Sequence, residues 1–178
     1  ITADTLRIGR NDAAAAGAIT VPATVSPNVN ELHLIGETIT GASGGVVVPA
    51  LVLEAGTTNL SNPSADVITL AAIIGPAGDP FTYTGDANGV IIGTVDGIVG
   101  ITTNNGNVTL ATGGALRLDQ PISAGTGTVS LQGTTVSNNG ANGFVTASAL
   151  NAVSTTGSTT LDSINNNVAT FSGQANTA

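Results

Sequence analysis

Short apolar-x-apolar phrases punctuate this chain at nearly even intervals. Leu32-His33-Leu34, Leu51-Val52-Leu53, Val67 to Leu70, Val90-Ile91-Ile92, Val108-Thr109-Leu110, Val129-Ser130-Leu131 and Ala149-Leu150 each place two apolar side chains on one side of an extended backbone. With Leu34, Leu53, Leu70, Ile92, Leu110, Leu131 and Leu150 as markers, successive steps run from 17 to 22 residues. One phrase recurs almost word for word: "GNVTL" at 106–110 and "GTVSL" at 127–131. Alternation turns Val108, Leu110, Val129 and Leu131 inward and Thr109 and Ser130 outward. Between the markers lie secondary strand-like pieces such as 115–118, 121–122, 134–136 and 157–161, so each repeat holds two or three short strands.

A period of about 20 residues is what a parallel β-solenoid requires, because one turn of chain cannot bury its own inward side chains and stacked turns can. The expected fold is therefore all-β: a single β-solenoid domain over residues 1–178 with roughly eight or nine coils of about 20 residues. The last coil is expected to hold Val168 to Phe171. Asn and Gly cluster where corners should fall, at "NNGN" 104–107, "NNGANG" 138–143 and "NNN" 165–167. They supply left-handed backbone positions and side-chain amides able to stack along the axis. A β-sandwich is the alternative, since it too is written as short strands between turns. The repeated phrases and the scarcity of aromatics favour the solenoid. Residues 1–31, Ala-rich and poorly periodic, read as an irregular end or an assembly segment, and 78–96 as a loop protruding between coils.

Composition supports the β reading and narrows function. Hydrophobic residues make up 41% of the chain and charged residues 8%, with 24 glycines and abundant Thr, Ser and Asn, but without the Ala runs laced with Lys and Glu that build helices. Eleven carboxylates face three arginines and no lysine, giving a net charge of −8 that repels nucleic-acid backbones and anionic headgroups. No apolar run reaches the roughly 18 residues of a membrane span. The absence of cysteine is compatible with either redox compartment; it fits an exported bacterial protein, extracellular or on the cell surface, and cytosolic proteins without cysteine exist too. The opening "ITADTLRIGRND" is no signal peptide, so any export signal is expected to lie outside this sequence.

The stretch "GNVTLATGGALRLDQPISAGTGTVSLQGTTVSNNG" resembles the repeat region of filamentous-haemagglutinin-like exoproteins, bacterial adhesins of the two-partner secretion type. The resemblance covers about Ile101 to Phe171 and lies in composition and phrase. It implies a right-handed parallel β-helix acting as a stalk. That family's secretion domain carries an Asn-Pro-Asn type motif, whereas the nearest text here is "SPNV" at 26–29. The resemblance thus implies an internal stalk segment, or a stand-alone relative that assembles by stacking.

Reactive chemistry is sparse. A polysaccharide lyase or hydrolase on this fold needs clustered carboxylates, or carboxylates beside a cation. The acids are scattered, and the nearest approach to a cluster is Asp79, Asp86 and Asp96 with Tyr83. These four are the candidate ligand or contact residues, on the proposed 78–96 loop. The alternative for that stretch is a longer insertion with a small local core of Phe81 and Tyr83. His33, the only histidine, alternates outward between Leu32 and Leu34 and is expected to be a solvated strand residue, since one histidine makes neither a zinc site nor a triad. Arg117 is expected to pair with Asp119 at the surface, and Arg7 and Arg10 to be solvated near the start. The glycine-rich calcium nonapeptide is absent, "GDANG" at 85–89 is too short for an EF-hand loop, and "GASGG" at 41–45 lacks the ending of a phosphate loop. No cofactor or metal ligand set is expected and no enzymatic role. The function implied is structural or adhesive: a stalk segment of a secreted adhesin or a subunit of an extracellular filament. Its partners would be further copies stacked end to end, the continuation of a longer chain, or cell-surface glycans. A polysaccharide-binding or polysaccharide-cleaving β-helix is the alternative.

Overall fold

A computed structural model describes residues 3–10 and 17–176. The chain winds into a parallel β-solenoid of about 7 turns with about 21 residues per turn, 2% helical and not a barrel. The turns are fewer and longer than the eight or nine read from the sequence, because several corners carry insertions that the apolar markers skip. Strands at neighbouring turns pair in parallel, which excludes the antiparallel face-to-face sheets of a sandwich.

Three walls make up each turn. In the early turns long strands cover more than one wall: β1 (Ala3–Gly9), β2 (Ile19–Thr20), β3 (Val29–Thr40), β4 (Val47–Leu60) and β5 (Asp66–Ala77). Later turns break at the corners into β6 (Phe81–Gly85), β7 (Val90–Ile92), β8 (Thr94–Val95), β9 (Ile98–Val99), β10 (Ile101–Asn104), β11 (Val108–Thr112), β12 (Leu116–Leu118) and β13 (Ile122–Ser123). They continue as β14 (Thr128–Gly133), β15 (Val136–Asn138), β16 (Val145–Ser154), β17 (Thr159–Thr160) and β18 (Asn167–Ala175). The only antiparallel pair among the described strands is β8 with β9. Residues 3–9 and 19–20 of the early stretch stack in register on β3; residues 11–16 lie outside the described residues.

Each wall contributes a column of inward side chains. On the first wall Leu6, Leu32, Leu51, Leu70, Ile92 and Leu118 stack one upon another, ending at Asn138. On the second, Ile8, Leu34, Leu53, Ala72, Ile101, Ile122 and Val145 do the same. The third runs the full height: Ile19, Ile39, Thr58, Phe81, Val108, Val129, Leu150 and Phe171. Away from the ends these side chains are buried and form one continuous core. Inward and outward positions alternate as read from the sequence, with Val108, Leu110, Val129 and Leu131 buried and Thr109 exposed. Parity is fixed because a one-residue slip would carry a whole rung of aliphatics into water.

The corners are tied by asparagine. The backbone N–H of Thr126 donates to Asn105 Oδ1 at 3.0 Å and that of Thr128 to Asn107 Oδ1 at 2.9 Å. Asp162 donates likewise to Asn138 at 2.9 Å and Val145 to Asn166 at 2.8 Å. Each bond joins adjacent turns, so these amides serve corner backbone rather than stacking on one another. Glycine is required where corners touch: a Cβ on Gly106 would lie 1.8 Å from the Asp79 carbonyl oxygen.

Two buried hydroxyls in the core, Thr58 Oγ1 and Tyr83 Oη, have no hydrogen-bond partner. A buried unsatisfied hydroxyl costs on the order of 1–3 kcal/mol. Thr58→Val and Tyr83→Phe are therefore each expected to stabilise the fold by about 1 kcal/mol, whereas Leu51→Ala is expected to cost about 2–5 kcal/mol through the cavity it opens. Urea unfolding midpoints of the three variants check the opposite signs.

Candidate functional site

The 78–96 stretch is not a protruding loop. From 81 to 92 it is wound into the coil through β6 and β7, and Phe81 and Tyr83 point into the column with no exposed surface. Tyr83 cannot meet a ligand; burial, reinforced by the nearby charges of Asp86 and Asp66, pushes its phenol well above the ordinary range. Nor do the acids of this stretch gather. Asp79 lies at the corner before β6, Asp86 at the corner after it, and Asp96 at the tip of the β8–β9 hairpin. The Asp86 carboxylate is engaged locally, accepting the Asn88 backbone N–H at 2.8 Å and its side-chain amide at 2.9 Å. Arg117 does pair with Asp119, two nitrogens to two oxygens at 2.8 Å each, on the surface.

The departure from the coil is residues 93–100. On either side of them, Ile92 pairs with Leu70 and Ile101 with Ala72, so the whole segment is inserted opposite the single residue Ala71. It leaves the wall as a hairpin with Asp96 (φ 49°) and Gly97 (φ 80°) at its turn. Both turn residues being left-handed is the signature of the tight turn favoured by Asp-Gly. The hairpin folds back across the outside of the earlier turns. There Val95 packs on Val52 and Ala71 in a small second core rimmed by Ala50 and Ile98.

Val52 and Ala71 belong to an outward row that parallel pairing builds from four turns: Arg7, His33, Val52 and Ala71. The tip carboxylate lands on the first two. Asp96 Oδ2 lies 2.7 Å from Arg7 Nη2 and 2.7 Å from His33 Nδ1. On its other side the ring meets Glu54, with Nε2 2.8 Å from Oε1. That contact is a close approach rather than a directed hydrogen bond, and Nε2 is left buried without a hydrogen-bond partner. His33 is thus outward-facing, as alternation required, but only 2% exposed. The expectation of a solvated histidine fails because a segment some sixty residues later covers it. Arg7 keeps an exposed shaft while its head is paired.

Electrostatically, hydrogen bonding from Arg7, then from His33, holds the Asp96 carboxyl below its usual value, and Asp96 in turn raises the Arg7 guanidinium. The ring nitrogens contact the carboxylates directly, leaving no gap for a cation between them. Among the described residues no three imidazole or carboxylate groups are arranged to hold a metal ion. Chemically the cluster is a latch that links Arg7, Asp96, His33 and Glu54. Sequence reading singled out Asp96 and Arg7 without joining them and missed Glu54; "TVDGIV" at 94–99, an Asp-Gly pair flanked by alternating apolar residues, was the available hairpin signal.

No helix of the described residues is long and apolar enough to cross a membrane. Comparison with family models, curated proteins and solved structures finds no match to this chain.

Since the folded Asp96 carboxyl lies below its ordinary value, its contribution is fully present above that ordinary value and is lost as pH falls through the lowered one. Amide exchange of the hairpin is therefore expected to lose protection as pH falls through and below the ordinary carboxylate range. Asp96→Asn flattens this acid slope. Val95→Ala leaves the slope and weakens docking at every pH, by on the order of 2 kcal/mol.

Proposed function

We propose that the chain is a structural element: a stiff β-solenoid segment of a bacterial adhesin at the cell surface or beyond it, or a subunit of an extracellular filament. The observation that carries this reading is the continuity of the three inward columns, which commits almost all large apolar side chains to stacking. The reactive groups are meanwhile dispersed over separate corners or, at His33, covered. Each turn advances the axis by one strand spacing, about 4.8 Å, so some seven turns make a body only about 35 Å tall. Reach would come from adding turns. Both ends could accept them, since among the described residues β1 and β18 each pair on one side only, and the inward Phe171 of the last rung is 59% exposed. The added turns would belong to a longer chain, as the resemblance to haemagglutinin-like repeats suggests, or to a second copy. Strand addition at an open edge supplies the joint.

A second reading rests on a furrow along the first wall. Two adjoining depressions, of about 670 Å³ and about 280 Å³, share Asp66 and Ile68; the first is lined by Asp4, Asn28 and Asn30, and the second by Asn88 and Arg117. A furrow along a solenoid could cradle a glycan chain. It lacks an aromatic platform, because Phe81 and Tyr83 are turned into the core, and this weighs against it.

Negative-stain imaging and fibre diffraction of the purified chain over a range of concentrations test the structural reading. Fibres with a repeat of about 4.8 Å along their axis are the expected result for the filament, and discrete particles about 35 Å tall for the stalk segment. Cleavage of a polysaccharide, or saturable glycan binding abolished by Asp66→Ala, would overturn it.

A further inference from the structure

The β8–β9 hairpin is held by very little of its own. Its two strands share only the pairs Thr94–Val99 and Val95–Ile98, and a hairpin so short has no independent stability in water. Two things outside it keep it down: the contact of Val95 with Val52 and Ala71, and the charge cluster at its tip. That cluster contains the only histidine in the chain, buried, with each ring nitrogen facing a carboxylate oxygen, Asp96 at 2.7 Å and Glu54 at 2.8 Å. An imidazole fills this role completely only when both nitrogens carry hydrogen. A neutral ring has one N–H and one lone pair; whichever carboxylate faces the lone pair meets repulsion at a ring that is buried although the carboxylates keep a partly exposed edge.

We propose that the hairpin is a proton-operated strap, closed over the outer wall while His33 carries both ring protons and released when it loses one. The other charged groups around the ring set the direction. Asp96 and Glu54 each bring a carboxylate to the ring. Arg7, bound to the same Asp96 oxygen, competes for that carboxylate without titrating in the relevant range. Glu31, next along β3 on the same side, is engaged by the Thr5 hydroxyl at 2.9 Å and adds negative charge near Arg7. On the acid side the strap is limited instead by protonation of its carboxylates, so closure occupies a window of pH bounded by carboxylates below and by imidazole above.

Opening would cost little elsewhere. The inward columns do not contain Val95, Asp96 or His33, so the solenoid stays wound. What changes is its exterior: Val52 and Ala71, now without exposed surface, and the His33 ring would come into view, extending the apolar surface that Ile73 already shows beside them. The first turn would also lose the tie between Arg7 and the fifth, leaving β1 held by its pairing with β3.

Because His33 is the only histidine, the test is unambiguous. The ring resonance of His33 and the exchange protection of the hairpin amides are followed together by NMR in the full chain, from about pH 4 to about pH 10. The expected result is one shared midpoint, with protection falling by about tenfold or more as the ring deprotonates, while amides of β11 and β14 keep theirs. Glu54→Gln keeps the histidine but offers a side-chain N–H to a neutral Nε2, and is expected to abolish this loss while the ring resonance still changes. His33→Gln, which has no ring proton to lose, is expected to give a flat profile over the same range. Ring titration without change in hairpin protection overturns the proposal, as does a ring that does not titrate in this range or a Glu54→Gln profile identical to that of the parent.

Discussion

Every rung of this protein is buried by the rung above and the rung below, and by nothing else. A single turn of about 21 residues cannot shield Leu70 or Ile101 from water; Leu51 and Ile92 shield the one, Ala72 and Ile122 the other. Stability is then a sum of contacts between neighbouring turns. What the sequence must conserve along the axis is therefore parity, not identity. Size is exchanged between adjacent turns: Phe81 fills the third column between Thr58 and Val108, and Ala72 the second between Leu53 and Ile101. The two unsatisfied hydroxyls, of Thr58 and Tyr83, sit at positions where β-propensity or bulk was suitable and a polar atom came with it.

Corners carry the variation that walls cannot. A wall residue has a partner above and below in register, so an insertion there breaks two ladders at once. A corner can lengthen if its backbone groups find other partners, and the Asn side chains provide them across turns. Residues 93–100 are the exception: they enter opposite Ala71 in the middle of β5, and Leu70–Ile92 and Ala72–Ile101 stay paired on either side because the hairpin pairs its own backbone. From that turn onward the first and second walls are separate strands, where β3, β4 and β5 had run through both.

Alternation and period made the architecture legible. Val108, Leu110, Val129 and Leu131 read as inward because strand geometry leaves no other choice, and "GNVTL" and "GTVSL" do pair residue for residue in adjacent turns. The number of turns was less legible, since apolar markers count strands and cannot reveal how many residues a corner absorbs. Tyr83 was misplaced for a related reason: glycine, aspartate and proline around it look like a loop, yet its neighbours Phe81 and Gly85 share its wall. The site at His33 was beyond reading by periodicity. Alternation gives the side of a wall on which a residue lies, not whether another segment will cover it. Joining Arg7, His33 and Asp96 needs the register between turns, which is a property of the winding and not of any local window.

The covering of His33 follows from the outward row that contains it. Val52 and Ala71 are apolar residues on the outside of the solenoid, in contrast to the outward Thr109 and Ser130 of the third wall. An exposed apolar strip next to pairing edges invites association, and the hairpin removes it by laying Val95 over both residues. An apolar contact of that size needs help to hold a two-pair hairpin, and the help comes from charges whose partners are distributed over the first three turns. Apolar docking sets where the hairpin lies and the charges set when. Since the inward columns owe nothing to either, the exterior can change state on a scaffold that does not.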